Sequence, residues 1–147
     1  MHLAFRKGAD GVLGALVRLR TASIYSHVEI VLDHCRGQPS SCFGASWMDG
    51  GVRSKTILLA PDKWDVVAVR IPGNRMLRAL KQTGKPYDYA GALFWGTAFA
   101  EDAQDKSAWF CSEICAWALG LGRPWAWSPG ALFNHLTGDA HANQQHE

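Results

Sequence analysis

A cysteine and a histidine, Cys111 and His27, are the residues of this chain whose surroundings best suit covalent chemistry. Cys111 lies in segment 109–115, which is typical of the first turn of a helix, and His27 lies in segment 25–32, which is typical of a strand. The N-terminus of a helix favours a thiolate, and its N–H groups are suited to hold an oxyanion. An imidazole is the base that a thiol nucleophile requires. The pair therefore predicts nucleophilic catalysis by Cys111 with His27 as its base.

Both residues also have a structural interpretation. His27 shares its strand face with Glu29, and that face is either part of a site or the solvent face of an edge strand. Cys111 is either a nucleophile or a buried structural cysteine, which is the interpretation we give to Cys115, one helical turn later. Glu113 is expected to be structural, because a carboxylate in the first turn stabilises a helix by itself.

The apolar periodicity and the turn signals predict a β-rich first half and a helical second half. Strands are predicted at 1–6, 27–32, 42–47, 52–59 and 64–71, and helices at 11–20, 75–83, 87–100 and 131–136, in addition to the helix that carries Cys111. An Asp-Gly turn at 48–51 predicts a hairpin. We therefore expect a single α+β domain over 1–138, an antiparallel sheet flanked by helices, followed by a polar tail at 139–147.

Two helix starts can be predicted in more detail. Asp10 is expected to cap the first helix, and Ser107 the helix that carries Cys111. The buried stripe of the first helix is expected to consist of its four larger apolar residues, Val12, Leu13, Leu16 and Val17.

Composition limits the partners and the location of the protein. The net charge of +2 and the scattered basic residues disfavour nucleic-acid binding. The apolar stretch at 11–17 is too short and interrupted for a secretory signal, and no stretch approaches the ~20 apolar residues of a membrane span. A cytoplasmic protein is expected, and its oligomeric state is left open.

The four cysteines are expected to be reduced thiols in such a compartment. The alternative is a zinc site that joins Cys111 and Cys115 to His34, Cys35 or Cys42. That alternative is disfavoured because no second Cys/His pair has finger-like spacing. No metal and no organic cofactor are expected.

The segment 26–30, followed much later by Tyr87-Asp88 and by 110–113, resembles the circularly permuted branch of the NlpC/P60 superfamily of papain-like cysteine hydrolases. In unpermuted members the nucleophile helix precedes the histidine strand, whereas in the permuted branch the histidine strand comes first, as it does here. The resemblance implies a papain-like fold with permuted topology, and it implies that Cys111 is the nucleophile and His27 the base.

The resemblance also implies a third polar residue that orients the imidazole, usually from the strand after the histidine. Related sequences often carry a glutamate just before the alanine of that strand, where this chain has Gly44. Ser46 is the first substitute, because it lies on the neighbouring strand. Glu29 ranks second, because it lies ~7 Å from His27 along the same strand. A backbone carbonyl or a water is the third alternative.

Tyr87 matches a tyrosine that precedes the cysteine segment in similar proteins. Tyr87 and Tyr25 are predicted to contact substrate; for Tyr87, a core tyrosine with a satisfied hydroxyl is the alternative. The expected activity is hydrolysis of an amide bond, such as that of a peptide or cell-wall peptide, or of a related acyl bond through an acyl-enzyme. Two alternatives are a lipid-directed acyltransferase or thioesterase, and a non-catalytic binding or structural module. The missing glutamate and the seven tryptophans favour the module.

Overall fold

The computed structural model describes residues 1–8, 11–94 and 107–143. Its strands are β1 (His2–Lys7), β2 (Tyr25–Asp33), β3 (Pro39–Ser46), β4 (Gly51–Leu58) and β5 (Trp64–Ala68). Its helices are α1 (Gly11–Thr21), α2 (Gly73–Leu80), α3 (Tyr89–Phe94), α4 (Cys111–Leu119) and α5 (Pro129–Asn143), and a 3-10 turn covers Pro124–Ala126.

The five strands form one antiparallel sheet in the order β4-β3-β2-β1-β5. The predicted hairpin joins β3 to β4, and Gly50 adopts the positive φ of 80° that its tight turn requires. The α+β class, the antiparallel sheet and the flanking helices are thus confirmed. The strand order places β2, which carries His27, in the middle of the sheet.

Strand β2 is buried on both faces. One face packs under α4 and contributes Val28 and Ile30 to the main core, while Val31 on the other face belongs to a second cluster that also includes Trp64. The face that carries His27 is therefore not a solvent face, because β2 is a central strand and the second cluster covers it. All six tryptophans among the described residues are buried or half-buried, as expected for side chains that fill a core.

The helices differ from the sequence-based expectation in several places. In α1, Val12 and Leu16 are 78% and 44% exposed, so the predicted buried stripe is wrong for these two residues. The other two, Leu13 and Val17, are half-buried, and the fully buried residue of α1 is Gly14. Helix α4 begins directly at Cys111 and is preceded by Phe110, so Ser107 is not its cap. Residue 10, the predicted cap of α1, lies outside the described residues.

Two further boundaries differ. Helix α5 continues to Asn143 instead of ending at Leu136, so the first part of the predicted polar tail is helical. An isolated glycine such as Gly138 is tolerated inside a helix at a cost of about 1 kcal/mol. Helix α3 begins two residues later than predicted, and the remainder of its predicted range, 95–100, lies outside the described residues. Within the described ranges, no helix combines the length and the apolar character needed to cross a bilayer.

Candidate active site

Cys111 is the first residue of α4, so its backbone N–H has no partner within the helix. Phe110 before it is extended, with φ −109° and ψ 166°. Two contacts fix this helix start: the Ser112 hydroxyl donates to the Trp127 carbonyl at 2.6 Å, and the Phe110 N–H donates to Glu113 Oε2 at 3.4 Å. The thiol side chain is buried, with 5% exposure, at the positive end of the helix dipole.

His27 lies on β2, and its ring is anchored at one nitrogen. Nε2 is 2.7 Å from Glu29 Oε1, and because a carboxylate only accepts, Nε2 carries the proton and donates. This leaves Nδ1, which is buried without a well-aligned hydrogen bond to any described residue, as the nitrogen available to the Cys111 thiol. Burial alone would lower the pKa of His27, but hydrogen bonds and charge from Cys111 and Glu29 raise it to about 10.

Glu29 has no exposed surface and is held by two cationic partners. Arg53 donates from Nη1 to Oε2 at 2.8 Å and from Nη2 to Oε1 at 2.7 Å, while His27 donates to Oε1. Burial raises the pKa of the Glu29 carboxyl, but the hydrogen bonds and charges of His27 and Arg53 outweigh it and leave the pKa below its usual value. The carboxylate is therefore ionised and paired at neutral pH.

Gly44 provides the space that this carboxylate occupies. Gly44 lies on β3, where its cross-strand partner on β4 is Arg53. Glu29 lies on the other side of Gly44, on β2. A Cβ at position 44 would lie 2.8 Å from Glu29 Oε2, closer than real Cβ contacts allow. The backbone of Gly44 needs no positive φ, so the constraint is steric. The glycine therefore lets the Arg53 side chain cross β3 and meet Glu29.

The ranking of Ser46 above Glu29 as the partner of His27 is wrong in this geometry. Ser46 lines the same cavity as His27, but its hydroxyl accepts the Asp49 backbone N–H at 3.4 Å and stabilises the hairpin turn. The spacing of ~7 Å along the strand was misleading because it joins backbone atoms. The side chains of His27 and Glu29 lean toward each other over that distance and close it to 2.7 Å.

Arg53 is the residue of this cluster that sequence reasoning missed. The signal was present, because the Asp-Gly turn fixes the β3–β4 register and thereby places Arg53 opposite Gly44. A glycine opposite an arginine in the middle of a sheet leaves room for the arginine to reach the next strand, about 4.8 Å further on. A buried glutamate two strands away then follows as its partner.

Tyr87 lies beside the thiol. Burial raises the pKa of the Tyr87 hydroxyl well above its usual value, the charge and side-chain hydrogen bond of Cys111 raise it further, and a hydrogen bond with the Cys111 backbone works in the opposite direction. The hydroxyl is therefore a neutral donor close to the sulfur. A bridge between Tyr87 and Trp109 ties this segment to the residues just before α4.

Tyr25 is placed differently from its predicted role. Its ring stacks in the core against Phe5 and Phe133, with centroids 5.7 and 4.5 Å away, and its hydroxyl donates to Asp65 at 2.6 Å. Burial and the Asp65 carboxylate raise the pKa of Tyr25. The hydroxyl that was expected to contact substrate is therefore committed to a structural hydrogen bond.

The imidazole and the thiol line two different cavities. A cavity of about 320 Å³ is lined by His27, Glu29 and Arg53 together with Trp47 and Trp64, and Cys111 is not part of its wall. The sulfur instead faces a much narrower cavity, whose lining includes Val17 of α1, Tyr87 and Phe110. We regard the narrow cavity as the more relevant one for a thiol reaction, because it is the one that reaches the sulfur. Helix α1 thus forms part of the cover over Cys111.

All four cysteines are free thiols. Across the ranges that the structure describes, no group of three or more His, Cys, Asp or Glu side chains is arranged to hold a metal ion. The His34 ring, one of the ligands of the zinc alternative, instead lies 3.4 Å from the Ser40 hydroxyl.

A scan against protein-family models and searches of curated proteins and of solved structures each found no match.

Proposed function

We propose that this protein is a thiol hydrolase of the circularly permuted NlpC/P60 type, which cleaves an amide or related acyl bond through a Cys111 acyl-enzyme. The observation that carries the proposal is the placement of His27 between the Cys111 thiol and the Glu29 carboxylate, with all three side chains largely buried. A buried charged pair is retained against its desolvation cost, and perturbed titratable groups of this kind concentrate at functional sites.

Each group has a defined task in this reaction. His27 Nδ1 accepts the thiol proton, and the sulfur attacks the substrate carbonyl carbon. The N–H groups of the first turn of α4 and the neutral Tyr87 hydroxyl donate to the oxyanion. The imidazolium then gives its proton to the leaving group, and a water activated by His27 releases the acyl group from Cys111.

Glu29 replaces the missing third residue in this proposal. It holds Nε2 of His27, so that Nδ1 faces the sulfur, and its charge favours the imidazolium that forms during the reaction. The absence of a glutamate at Gly44, which favoured a non-catalytic module, loses its weight because the carboxylate arrives from β2. The proposed compartment is the cytoplasm, which suits the four free thiols.

The direct experiment is to trap the acyl-enzyme. The full chain is mixed with p-nitrophenyl acetate, and intact-mass and peptide mass spectrometry locate the acetyl group. We expect acetylation of Cys111, no acetylation there in Cys111→Ala, and the wild-type result in Cys35→Ala, a matched removal of a more accessible thiol. Undiminished p-nitrophenol release by Cys111→Ala would contradict the proposal.

Acyl transfer is separated from hydrolysis by the products. When an amine or alcohol acceptor is added to the same reaction, hydrolysis continues to release acetate, whereas a transferase releases the acetylated acceptor. We expect acetate to remain the main product.

A further inference from the structure

Among the described residues, Arg53 makes its hydrogen bonds to Asp49, Glu29 and Gly44 and none to Cys111 or the imidazole. Its guanidinium is nevertheless fixed in place more thoroughly than a surface ion pair requires. It is 18% exposed, and both of its Nη atoms bind Glu29. Its Nε donates to Asp49 Oδ2 at 2.8 Å, and Nη1 is also 3.4 Å from the Gly44 carbonyl. Donors on all three nitrogens are thus engaged.

These contacts form a continuous chain from the hairpin turn to the imidazole. Asp49 in the turn holds Arg53, Arg53 holds both oxygens of Glu29, and Glu29 Oε1 holds His27 Nε2. A carboxylate that accepts one hydrogen bond can rotate about its last torsion, which is a broad and soft one. A planar guanidinium that binds both oxygens fixes the carboxylate plane, which a lysine does not do.

We propose that Arg53 is a positioning residue of the site: by clamping both oxygens of Glu29 across Gly44, it holds the His27 ring with Nδ1 toward Cys111. This inference rests on the proposed function for its catalytic meaning, but the clamp itself exists or fails independently of any activity. Without Arg53, the flexible Glu29 side chain would be free to rotate on this side, because Gly44 has no side chain that could restrain the carboxylate.

The clamp is tested in Cys111→Ala protein, so that the outcome does not depend on turnover. Nitrogen-edited proton NMR detects the His27 Nε2–H, which is protected when it donates to a fixed carboxylate. We expect its hydrogen exchange to accelerate at least about tenfold in Arg53→Met and Arg53→Lys, since the bidentate geometry is lost in both. Arg53→Lys keeps the charge and serves where Arg53→Met fails to fold, as judged by circular dichroism.

Lys55→Met is the matched control. Lys55 lies on the same strand and binds the same Asp49, with Nζ 3.0 Å from Oδ1, but it does not bind Glu29. We expect unchanged exchange of the His27 Nε2–H in this variant. An equally protected Nε2–H in Arg53→Lys and wild type would overturn the proposal and assign Arg53 to charge balance alone.

A kinetic measurement in protein with Cys111 intact distinguishes this result from failure of the proposed function. If the full-length protein hydrolyses p-nitrophenyl acetate, Arg53→Lys is expected to lower kcat at least about tenfold with little change in KM, since orientation acts on the reacting state. Equal kcat values in Arg53→Lys and wild type overturn the inference. If wild-type protein is inactive but the NMR effect is present, the clamp stands and the hydrolase proposal fails.

Discussion

The substitution Gly44→Ala tests the steric part of the site with a single methyl group. The new Cβ would lie 2.8 Å from Glu29 Oε2, which is 0.6 Å short of the 3.4 Å at which ordinary contact begins. If the carboxylate retreats by that amount along the bond to His27, the 2.7 Å hydrogen bond lengthens to about 3.3 Å, beyond the usual range.

The expected cost follows from these distances. Overpacking of a tight site costs about 1–3 kcal/mol, and a hydrogen bond to a charged group contributes about 1.5–3 kcal/mol. We expect Gly44→Ala to lower the free energy of unfolding by about 1–3 kcal/mol, measured by urea denaturation. We also expect a loss of about 10- to 100-fold in kcat/KM, which corresponds to about 1.4–2.7 kcal/mol of transition-state stabilisation.

Two comparisons make the result specific. Gly73→Ala, at the start of α2, places a methyl group in open space and should leave stability and activity close to wild type. In Glu29→Ala protein, Gly44→Ala should cost little, because the oxygen it displaces is gone; the double-mutant cycle measures this coupling. Equal costs of Gly44→Ala in wild-type and Glu29→Ala backgrounds would refute the steric argument.

Three other perturbations have clear expected outcomes. The folded-state pKa of His27 is about 10, above its ordinary value of 6.5, so its protonation stabilises the fold fully below pH 6.5 and this contribution is lost as the pH rises through about 10. The difference in unfolding free energy between wild type and His27→Gln, measured by urea denaturation, should therefore shrink between pH 6.5 and about 10. A constant difference over that range would contradict the raised pKa. Val17→Trp should narrow the cavity beside the Cys111 sulfur and slow Cys111 alkylation at least about tenfold. The control is Val12→Trp, because Val12 is 78% exposed on the same helix, and this variant should react at the wild-type rate. Equal alkylation rates in the two variants would mean that the reagent reaches the sulfur by another route. Tyr25→Phe removes the hydrogen bond to Asp65 and should lower the free energy of unfolding by about 1 kcal/mol without changing the rate of Cys111 alkylation. Slower alkylation in this variant would show that Tyr25 contributes to the site.

The sheet was predictable from the sequence because its signals are local. The alternation in 25–32 and the Asp-Gly turn at 48–51 fix strand type, hairpin and register within short windows. The buried side of α1 was not predictable in the same way. Its apolar residues surround the whole short helix, so tertiary packing, with Gly14 turned inward, decided which of them is exposed.

The parts of the site that depend on whether a residue lies in a strand or at a helix start were predictable. The contacts that depend on how far long side chains extend across the sheet were not. A strand histidine and a helix-start cysteine give the positions of His27 and Cys111, and the structure brings them together. The identity of the imidazole partner depends on how the His27 and Glu29 side chains incline toward each other along β2, and on the space that Gly44 leaves for the carboxylate. Such space depends on three strands at once, so neither the pairing of Glu29 with His27 nor the role of Arg53 follows from local sequence signals.

The most direct test of the Cys111–His27 pair is the pH dependence of Cys111 alkylation by iodoacetamide, followed by peptide mass spectrometry in wild type and His27→Ala. If His27 holds the thiol proton, Cys111 of the wild-type protein should react at least about tenfold faster than Cys111 of His27→Ala at and below neutral pH, because the thiolate is the reactive form and the imidazolium stabilises it. Equal alkylation rates of Cys111 in the two proteins over the whole pH range would contradict the pairing.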